Sequence, residues 1–203
     1  LVLSRDGAVW VTGWNKYGQL GDGLTAYTSK FFKTVSSGAR AFAAGDLHSV
    51  VVKDDGSVWV TGRNNNGQLG DGSTTDRSNY VNVMPGGVKA IAAGSRHSLL
   101  LKQDGSVWAT GKNSKGQLGD GTRVAKRTLF FVRTIRGAKV VAAGGYHSMI
   151  LTRNGHVWAT GWNKYGQLGD GSASDSIKSR SKFVQVMSSG ATAVHAGDAH
   201  SIV

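Results

Sequence analysis

Residues 12–23 read TGWNKYGQLGDG, and residues 160–171 repeat these twelve letters without change. Looser copies, TGRNNNGQLGDG and TGKNSKGQLGDG, begin at Thr61 and Thr110. Self-similarity at a fixed period is the sequence signature of a repeat architecture, so the four copies predict a repeat protein. We therefore interpret residues 1–203 as a single repeat array rather than as several separate domains.

Two anchor residues measure the period of the array. The tryptophan of Val-Trp-x-Thr-Gly recurs at steps of 49, 49 and 50 residues, and the histidine of Ala-Gly-x-x-His-Ser at steps of 49, 50 and 53. These anchors are Trp10, Trp59, Trp108 and Trp158, and His48, His97, His147 and His200. A period near fifty residues is typical of β-propeller blades, whereas the rungs of a β-helix are much shorter.

Each unit also contains signals for antiparallel strands. Asp-Gly, replaced by Asn154-Gly155 before Trp158, separates two apolar runs and is a strong hairpin signal because both residues tolerate positive φ. The runs are almost continuously apolar, which suits a sheet covered on both faces by neighbouring sheets. Glu is absent and Gly occurs 30 times, so composition favours strands and turns over helices. We predict an all-β chain of four-stranded antiparallel blades.

The unit from Ala-Gly-x-x-His-Ser to Gly-Gln-Leu-Gly-Asp-Gly resembles the regulator of chromosome condensation repeat, and the resemblance covers the whole chain. It implies a β-propeller that usually has seven blades. Four units are too few for that ring, so we expect remaining blades or a second chain to complete it. The first and last segments share one repeat phase, which fits a self-closing ring or an internal stretch of a longer array; we favour the longer array.

Similar propellers have diverse activities, and a fold alone cannot choose among them. Our first hypothesis is a non-catalytic interaction module that binds a protein partner through the variable loops after each Gly-Gln-Leu-Gly-Asp-Gly. The alternatives are a guanine-nucleotide exchange factor for a small GTPase with chromatin or DNA contact, and a secreted enzyme inhibitor. The resemblance favours the cytoplasm or nucleus and leaves secretion open.

The repeated histidines and serines do not predict a catalytic site. Asp46-x-His48-Ser49 has the letters of a hydrolytic triad, but the Asp position becomes Ser95 and Gly145 in other units. A catalytic site is normally built once, so we expect these histidines and the four anchor tryptophans to be structural. Cysteine is absent, and no ligand set at metal spacing or phosphate-binding loop is found; we therefore predict no metal, no cofactor and no enzyme.

Charge is the asymmetric feature of the chain. The net charge is +12, and no acidic residue lies between Asp120 and Asp170. We predict a patch for an anionic partner, possible nucleic acid included, built from Arg123, Lys126, Arg127, Arg133, Arg136, Lys139, Lys178, Arg180 and Lys182. Candidate aromatic residues of the rim are Trp14, Trp162, Tyr27 and Tyr80. No apolar run approaches the ~20 residues of a membrane span, so we expect no membrane partner.

Overall fold

The computed structural model describes residues 1–132, 135–172 and 179–203. Its strands form successive blades, which we number along the chain. Blade 1 contains β1 (Val2–Leu3), β2 (Val9–Gly13) and β3 (Thr28–Val35). Blade 2 contains β4 (Ala39–Ala44), β5 (His48–Lys53), β6 (Val58–Gly62) and β7 (Arg77–Met84). Blade 3 contains β8 (Val88–Ala93), β9 (His97–Lys102), β10 (Val107–Gly111) and β11 (Lys126–Val132). Blade 4 contains β12 (Ala138–Ala143), β13 (His147–Thr152), β14 (Val157–Trp162) and β15 (Ser179–Met187). Blade 5 contains β16 (His195–Ala196) and β17 (Ser201–Ile202).

Sequential strands pair antiparallel within every blade. Blades 2, 3 and 4 are four-stranded sheets in which the strands follow chain order from the first to the fourth. The predicted all-β class and the four-stranded antiparallel blades are confirmed. Among the residues described, none lies in a helix long and apolar enough to cross a membrane.

The hairpins between the second and third strands turn at the predicted Asp-Gly pairs. At the turn of blade 3, Lys102 N–H donates to Ser106 O at 2.9 Å, and Gly105 has a φ of 81°. The Asp104 carboxylate accepts the Ser106 N–H at 2.8 Å. Glycine adopts this left-handed conformation at little cost, which explains why a Gly closes each of these turns.

The hydrophobic cores lie between consecutive blades. On β9, Leu99 and Leu101 pack in the cluster that contains Ile150 of blade 4, whereas Leu100 packs with Val50 of blade 2. Successive side chains of a strand point to opposite faces, so a strand between two sheets must be apolar throughout. The continuous apolar runs of the sequence therefore reflect sheets covered on both sides, as predicted.

The register of the strands gives every blade the same polarity. We call the end that carries the Gly-Gln-Leu-Gly-Asp-Gly loops (residues 18–23, 67–72, 116–121 and 166–171) the loop face. The opposite end, with the hairpin turns at Gly56, Gly105 and Gly155, is the turn face. The turns after the first strands of blades 2 to 5 surround one cavity of about 230 Å³, lined by residues 44–46, 93–95, 143–145 and 196–198.

Candidate interaction face

Each Gly-Gln-Leu-Gly-Asp-Gly loop is held by its own residues. In blade 2, Asn64 Oδ1 accepts the Leu69 N–H at 3.0 Å, and Asn64 Nδ2 donates to Asp71 Oδ1 at 2.9 Å. Gly67 and Gly70 have φ values of 77° and 74°, in the left-handed region that favours glycine. The equivalent asparagines of the other blades make the same bonds; they are Asn15, Asn113 and Asn163. The repeated Asn and Asp thus hold the turn.

Each loop of the first three blades also docks on the following blade, a contact that we call the clasp. Gly72 N–H donates to Arg127 O at 2.9 Å, and Thr110 Oγ1 donates to Gly67 O at 2.8 Å. A Cβ on Gly67 would lie 2.6 Å from Arg127 Cα, so this approach requires glycine. The same contacts join residues 18–23 to β7 and residues 116–121 to β15.

The repeated histidines and serines form a second link between blades. His48 Nε2 lies 2.9 Å from Ser98 Oγ of the next blade. Ser98 Oγ donates its own hydrogen to Gln68 O at 2.8 Å, so it must accept from His48, which fixes the neutral tautomer with its proton on Nε2. His97 with Ser148 and His147 with Ser201 repeat this arrangement.

Burial keeps these imidazoles neutral. It lowers the pKa of His48 and His147 to about 4 and that of His97 to about 3. Protonation would place a charge at Nδ1, which has no hydrogen-bond partner among the described residues in any of the three. These contacts support a structural role for the three histidines. His200 occupies the same position in blade 5, but it is exposed.

The anchor tryptophans lie on β2, β6, β10 and β14 and are half-buried. Trp108 packs against the cluster between blades 2 and 3, and the Lys102 ammonium lies 5.7 Å from its ring centroid. Lys53 covers Trp59 in the same way at 4.5 Å. Trp10 and Trp158 are also half-buried on their strands. These rings therefore pack inside the blades on one side, and lysine ammonium groups cover those of Trp59 and Trp108 on the other.

The structure divides the predicted basic patch between the two faces. Strand β11 carries Lys126 at the loop face and ends near Arg136 at the turn face, together with Lys139 at the start of β12. Within the described chain, the members at or next to the loop face are Arg123, Lys126, Arg127, Arg180 and Lys182. Arg133 and Lys178 lie outside the described residues.

Two members of this patch are neutralised by nearby carboxylates. Lys126 Nζ lies 3.1 Å from Asp120, and Arg180 Nε lies 2.8 Å from Asp170. The loop of blade 3 reaches β15, where a Cβ on Gly121 would be 3.1 Å from Lys182 Cε. The structure therefore brings Lys182 next to the loop that precedes Arg123. Because Lys126 and Arg180 are paired with carboxylates, the loop face carries fewer unpaired cations of the predicted patch than the sequence suggested.

The predicted rim aromatics differ in exposure. Trp14 and Tyr27 are 55% and 79% exposed on the loop face. Trp162 is half-buried, with ring centroids 5.9 Å from Tyr146 and 5.2 Å from Tyr165.

Tyr80 is not offered to a partner, which corrects its prediction as a rim residue. Its ring lies against Gly21 of the preceding loop, where a Cβ would be only 2.3 Å from Tyr80 Cε2. The ring also joins the core between blades 1 and 2, and burial raises the pKa of its hydroxyl to about 12. A side chain that the sequence of its own unit suggests is exposed is therefore covered by the glycine loop of the preceding unit.

A row of cations on the loop face was missed by sequence reasoning. The Lys112 N–H donates to Arg96 O at 2.8 Å, so two variable positions, one from Thr-Gly-x-Asn and one from Ala-Gly-x-x-His, lie side by side. Arg63 is the residue of blade 2 that corresponds to Lys112, and Lys115 follows Lys112 just before the loop of blade 3. We call these four residues the cation row. The Asp104-Gly105 turn sets the register of the hairpin and pairs His97 with Gly111. That register is the sequence signal from which the proximity of Arg96 and Lys112 could have been predicted.

The cation row is positively charged, and two of its members lie against aromatic rings. The Arg63 guanidinium lies 4.6 Å from the ring centroid of Tyr17, and Lys112 Nζ lies 5.0 Å from that of Tyr146. Burial, together with the positive charges of Arg96 and Lys115, lowers the pKa of Lys112. Among the described residues, no carboxylate forms an ion pair with any member of the row.

The described ranges contain no group of three or more metal-ligating side chains placed to hold an ion.

No curated protein sequence matches this chain. Its fold is similar to that of human WBSCR16, with a TM-score of 0.86 and 21% identity over 98% of this chain and 53% of that one. Yeast RCC1 (Prp20), solved bound to Kap60, gives a TM-score of 0.80 and 22% identity over 92% of this chain and 46% of that one.

A second structure of Prp20p from Saccharomyces cerevisiae, described with its binding properties to Gsp1p and histones, gives a TM-score of 0.79 and 22% identity. It is matched over 97% of this chain and 51% of that one, so the present chain spans about half the length of these relatives. Residues 1–203 match the family of RCC1-like domains throughout. The chain therefore belongs to the RCC1-like domain family.

Proposed function

We propose that this chain is a non-catalytic interaction module that binds a protein partner through its loop face. The observation that carries the proposal is the distribution of repeated and variable residues. The repeated Asn, His, Ser and Thr are engaged inside and between blades, where Thr61, for example, bonds Gly18 O at 2.8 Å. The stretches that follow the Gly-Gln-Leu-Gly-Asp-Gly loops differ from unit to unit and lie at the loop face, which leaves that face free to recognise a particular partner.

The side chains of the loop face support this proposal. Trp14 and Tyr27 expose large rings, and Tyr165 is 63% exposed. Tyr, Trp and Arg are enriched at the centres of protein interfaces, where a few of them supply most of the binding energy. The loops are also fixed by their own hydrogen bonds, so ordering them on binding costs little.

Site-specific crosslinking tests the proposal. A photoreactive amino acid replaces Tyr27 on the loop face or Arg136 on the turn face, and adducts formed in extract of the source cells are identified by mass. The crosslinking is then repeated with the identified partner in purified form. We expect an adduct from the Tyr27 position only. Adducts from the Arg136 position alone, or equally from both, would contradict use of the loop face.

Exchange of guanine nucleotide on a small GTPase is the second candidate function. It is favoured by the fold that this chain shares with Prp20p, which was described with its binding to Gsp1p. Such an activity would act by deforming the GTPase, because no nucleotide-binding loop is present in the sequence. Release of a fluorescent GDP from a purified GTPase tests it: acceleration supports exchange, whereas binding without acceleration supports the interaction module.

Contact with nucleic acid belongs to the exchange candidate. Arg123, Arg127 and Lys182 would supply the phosphate contacts next to the loop face. Each phosphate contact releases a counterion, so log affinity for duplex DNA should fall with log salt, with a slope near −0.9 per contact. A triple variant at these three positions should reduce the slope by roughly three. An unchanged slope would exclude them from the contact.

A further inference from the structure

We propose that the cation row (Arg63, Arg96, Lys112 and Lys115) binds an acidic peptide segment of the protein partner. This inference rests on the proposed function and names the chemistry of the segment that the loop face recognises. Arg63 and Lys112 occupy the same position in blades 2 and 3, and Arg96 and Lys115 flank Lys112 in blade 3, so the charges span two neighbouring blades. An extended chain that carries several carboxylates matches such a line of donors.

The row keeps like charges together without compensation from the described residues. Lys112 lies beside both Arg96 and Lys115, and the ion pairs of the described chain involve other cations. Repulsion within such a group opposes folding, and an incoming anion relieves it. The row therefore gains more from a carboxylate than an isolated surface lysine does.

The backbone positions these cations before any partner arrives. The Arg63 N–H donates to Leu47 O and the Lys112 N–H donates to Arg96 O, both at 2.8 Å, at the ends of paired strands. Tyr17 and Tyr146 hold the Arg63 and Lys112 side chains against their rings. Donors fixed on strand ends lose less entropy on binding than donors on free side chains.

The same geometry favours a peptide over a single-stranded nucleic acid. Bases bind such a strip by stacking on open aromatic faces. Here cations already lie over Tyr17 and Tyr146, whereas their remaining N–H groups can bind carboxylates.

Fluorescence anisotropy with two defined probes tests the inference. One probe is a fluorescein-labelled twelve-residue peptide of Glu, Asp and Gly, and the other is a labelled oligothymidylate of the same length. The full chain is compared with Arg96→Ala/Lys112→Ala and with the control Arg136→Ala/Lys139→Ala, which removes the same charge from the turn face. We expect the first variant to weaken peptide binding about tenfold or more and the control to change it less than about twofold.

Three outcomes would overturn the inference. The peptide fails to bind the unchanged protein, both double variants weaken it equally, or the oligothymidylate binds the row more tightly than the peptide does. Thermal unfolding of both variants checks that each remains folded. The proposed function is tested separately: if the Tyr27 crosslink persists in Arg96→Ala/Lys112→Ala with undiminished yield, the loop face still binds a partner but the cation row does not recognise it.

Discussion

The first and fourth Gly-Gln-Leu-Gly-Asp-Gly loops have identical sequences and nearly identical local geometry. Asn15 and Asn163 each donate to the loop aspartate at 3.0 Å and accept the leucine N–H at 2.9 and 3.0 Å. Gly18 and Gly166 have φ values of 77° and 78°. The conformation of the loop is therefore encoded by its own residues, whatever lies beside it.

Their surroundings differ. Gly18 touches β7, where a Cβ would lie 2.3 Å from Ser78 Cα, whereas a Cβ on Gly166 meets no described atom within 4 Å. Tyr17 is covered by Arg63, while Tyr165 remains 63% exposed. The comparison separates two roles of one motif: it folds a turn, and it receives the next blade. Substitutions at matched positions measure each role.

Gly18→Ala and Gly166→Ala should give the largest difference between the loops. Both add the strain of a left-handed alanine, about 1–2 kcal/mol, but only Gly18→Ala also forces a Cβ into the backbone of β7. We expect Gly18→Ala to lose about 4 kcal/mol, since overpacking adds about 1–3 kcal/mol. Urea unfolding measures both variants. Equal losses would show that the clasp on Gly18 does not restrict substitution.

Leu20→Ala and Leu168→Ala should instead have similar effects. Both leucines are buried, at 5% and 1% exposure, so each loses its contacts and leaves a cavity. We expect each variant to lose about 3 kcal/mol of unfolding free energy. A loss at Leu168 below about 1 kcal/mol would show that the fourth loop is less firmly packed than the first. Chemical denaturation of the pair makes this measurement.

The buried histidines predict loss of stability in mild acid. Their folded pKa is depressed, to about 3 for His97, so the stabilisation is complete above the usual value of 6.5 and is lost as pH falls from 6.5 towards 3. Each such histidine contributes a slope of about 1.4 kcal/mol per pH unit within that window. Between about pH 6 and 5 aspartates stay ionised, so histidines dominate the slope.

Urea unfolding across that interval, repeated with His97→Gln, checks the assignment. The variant should have a shallower dependence of unfolding free energy on pH, whatever its absolute stability. A slope unchanged by His97→Gln would show that His97 titrates normally in the folded protein.

The smallest expected effect concerns the ion pair of the fourth loop. Hydrogen bonds from Ser172 and Arg180 outweigh the opposing effect of burial and lower the pKa of Asp170 to about 2. Thr28 replaces the arginine at the matching position of blade 1, as its pairing with Gly13 shows. We expect Arg180→Ala to cost about 0.5 kcal/mol, and Thr28→Arg to gain no more than that beside Asp22. Thermal unfolding at low and high salt measures both, and insensitivity to salt would argue against an electrostatic effect.

The sequence predicted what depends on periodicity and local turns. The Asp-Gly pairs located the hairpins, and the continuous apolar runs indicated sheets covered on both faces. It did not reveal which end of a blade each cation occupies. A seven-residue strand such as β11 runs about 20 Å, so Lys126 at its start lies at the loop face, whereas Arg136, just beyond its end, lies at the turn face. Tyr80 was misjudged because the glycine that receives it belongs to the preceding unit, and only the fold brings them together.

The clasp has a consequence for how such chains lengthen. Each unit carries both a glycine loop that receives a strand and a fourth strand that fits such a loop, as residues 67–72 and β11 do. Duplication of about fifty residues in frame therefore supplies both halves of a new junction at once, without any compensating substitution. Recombination between the identical segments 12–23 and 160–171 would likewise remove whole units and rejoin a working loop to a working strand.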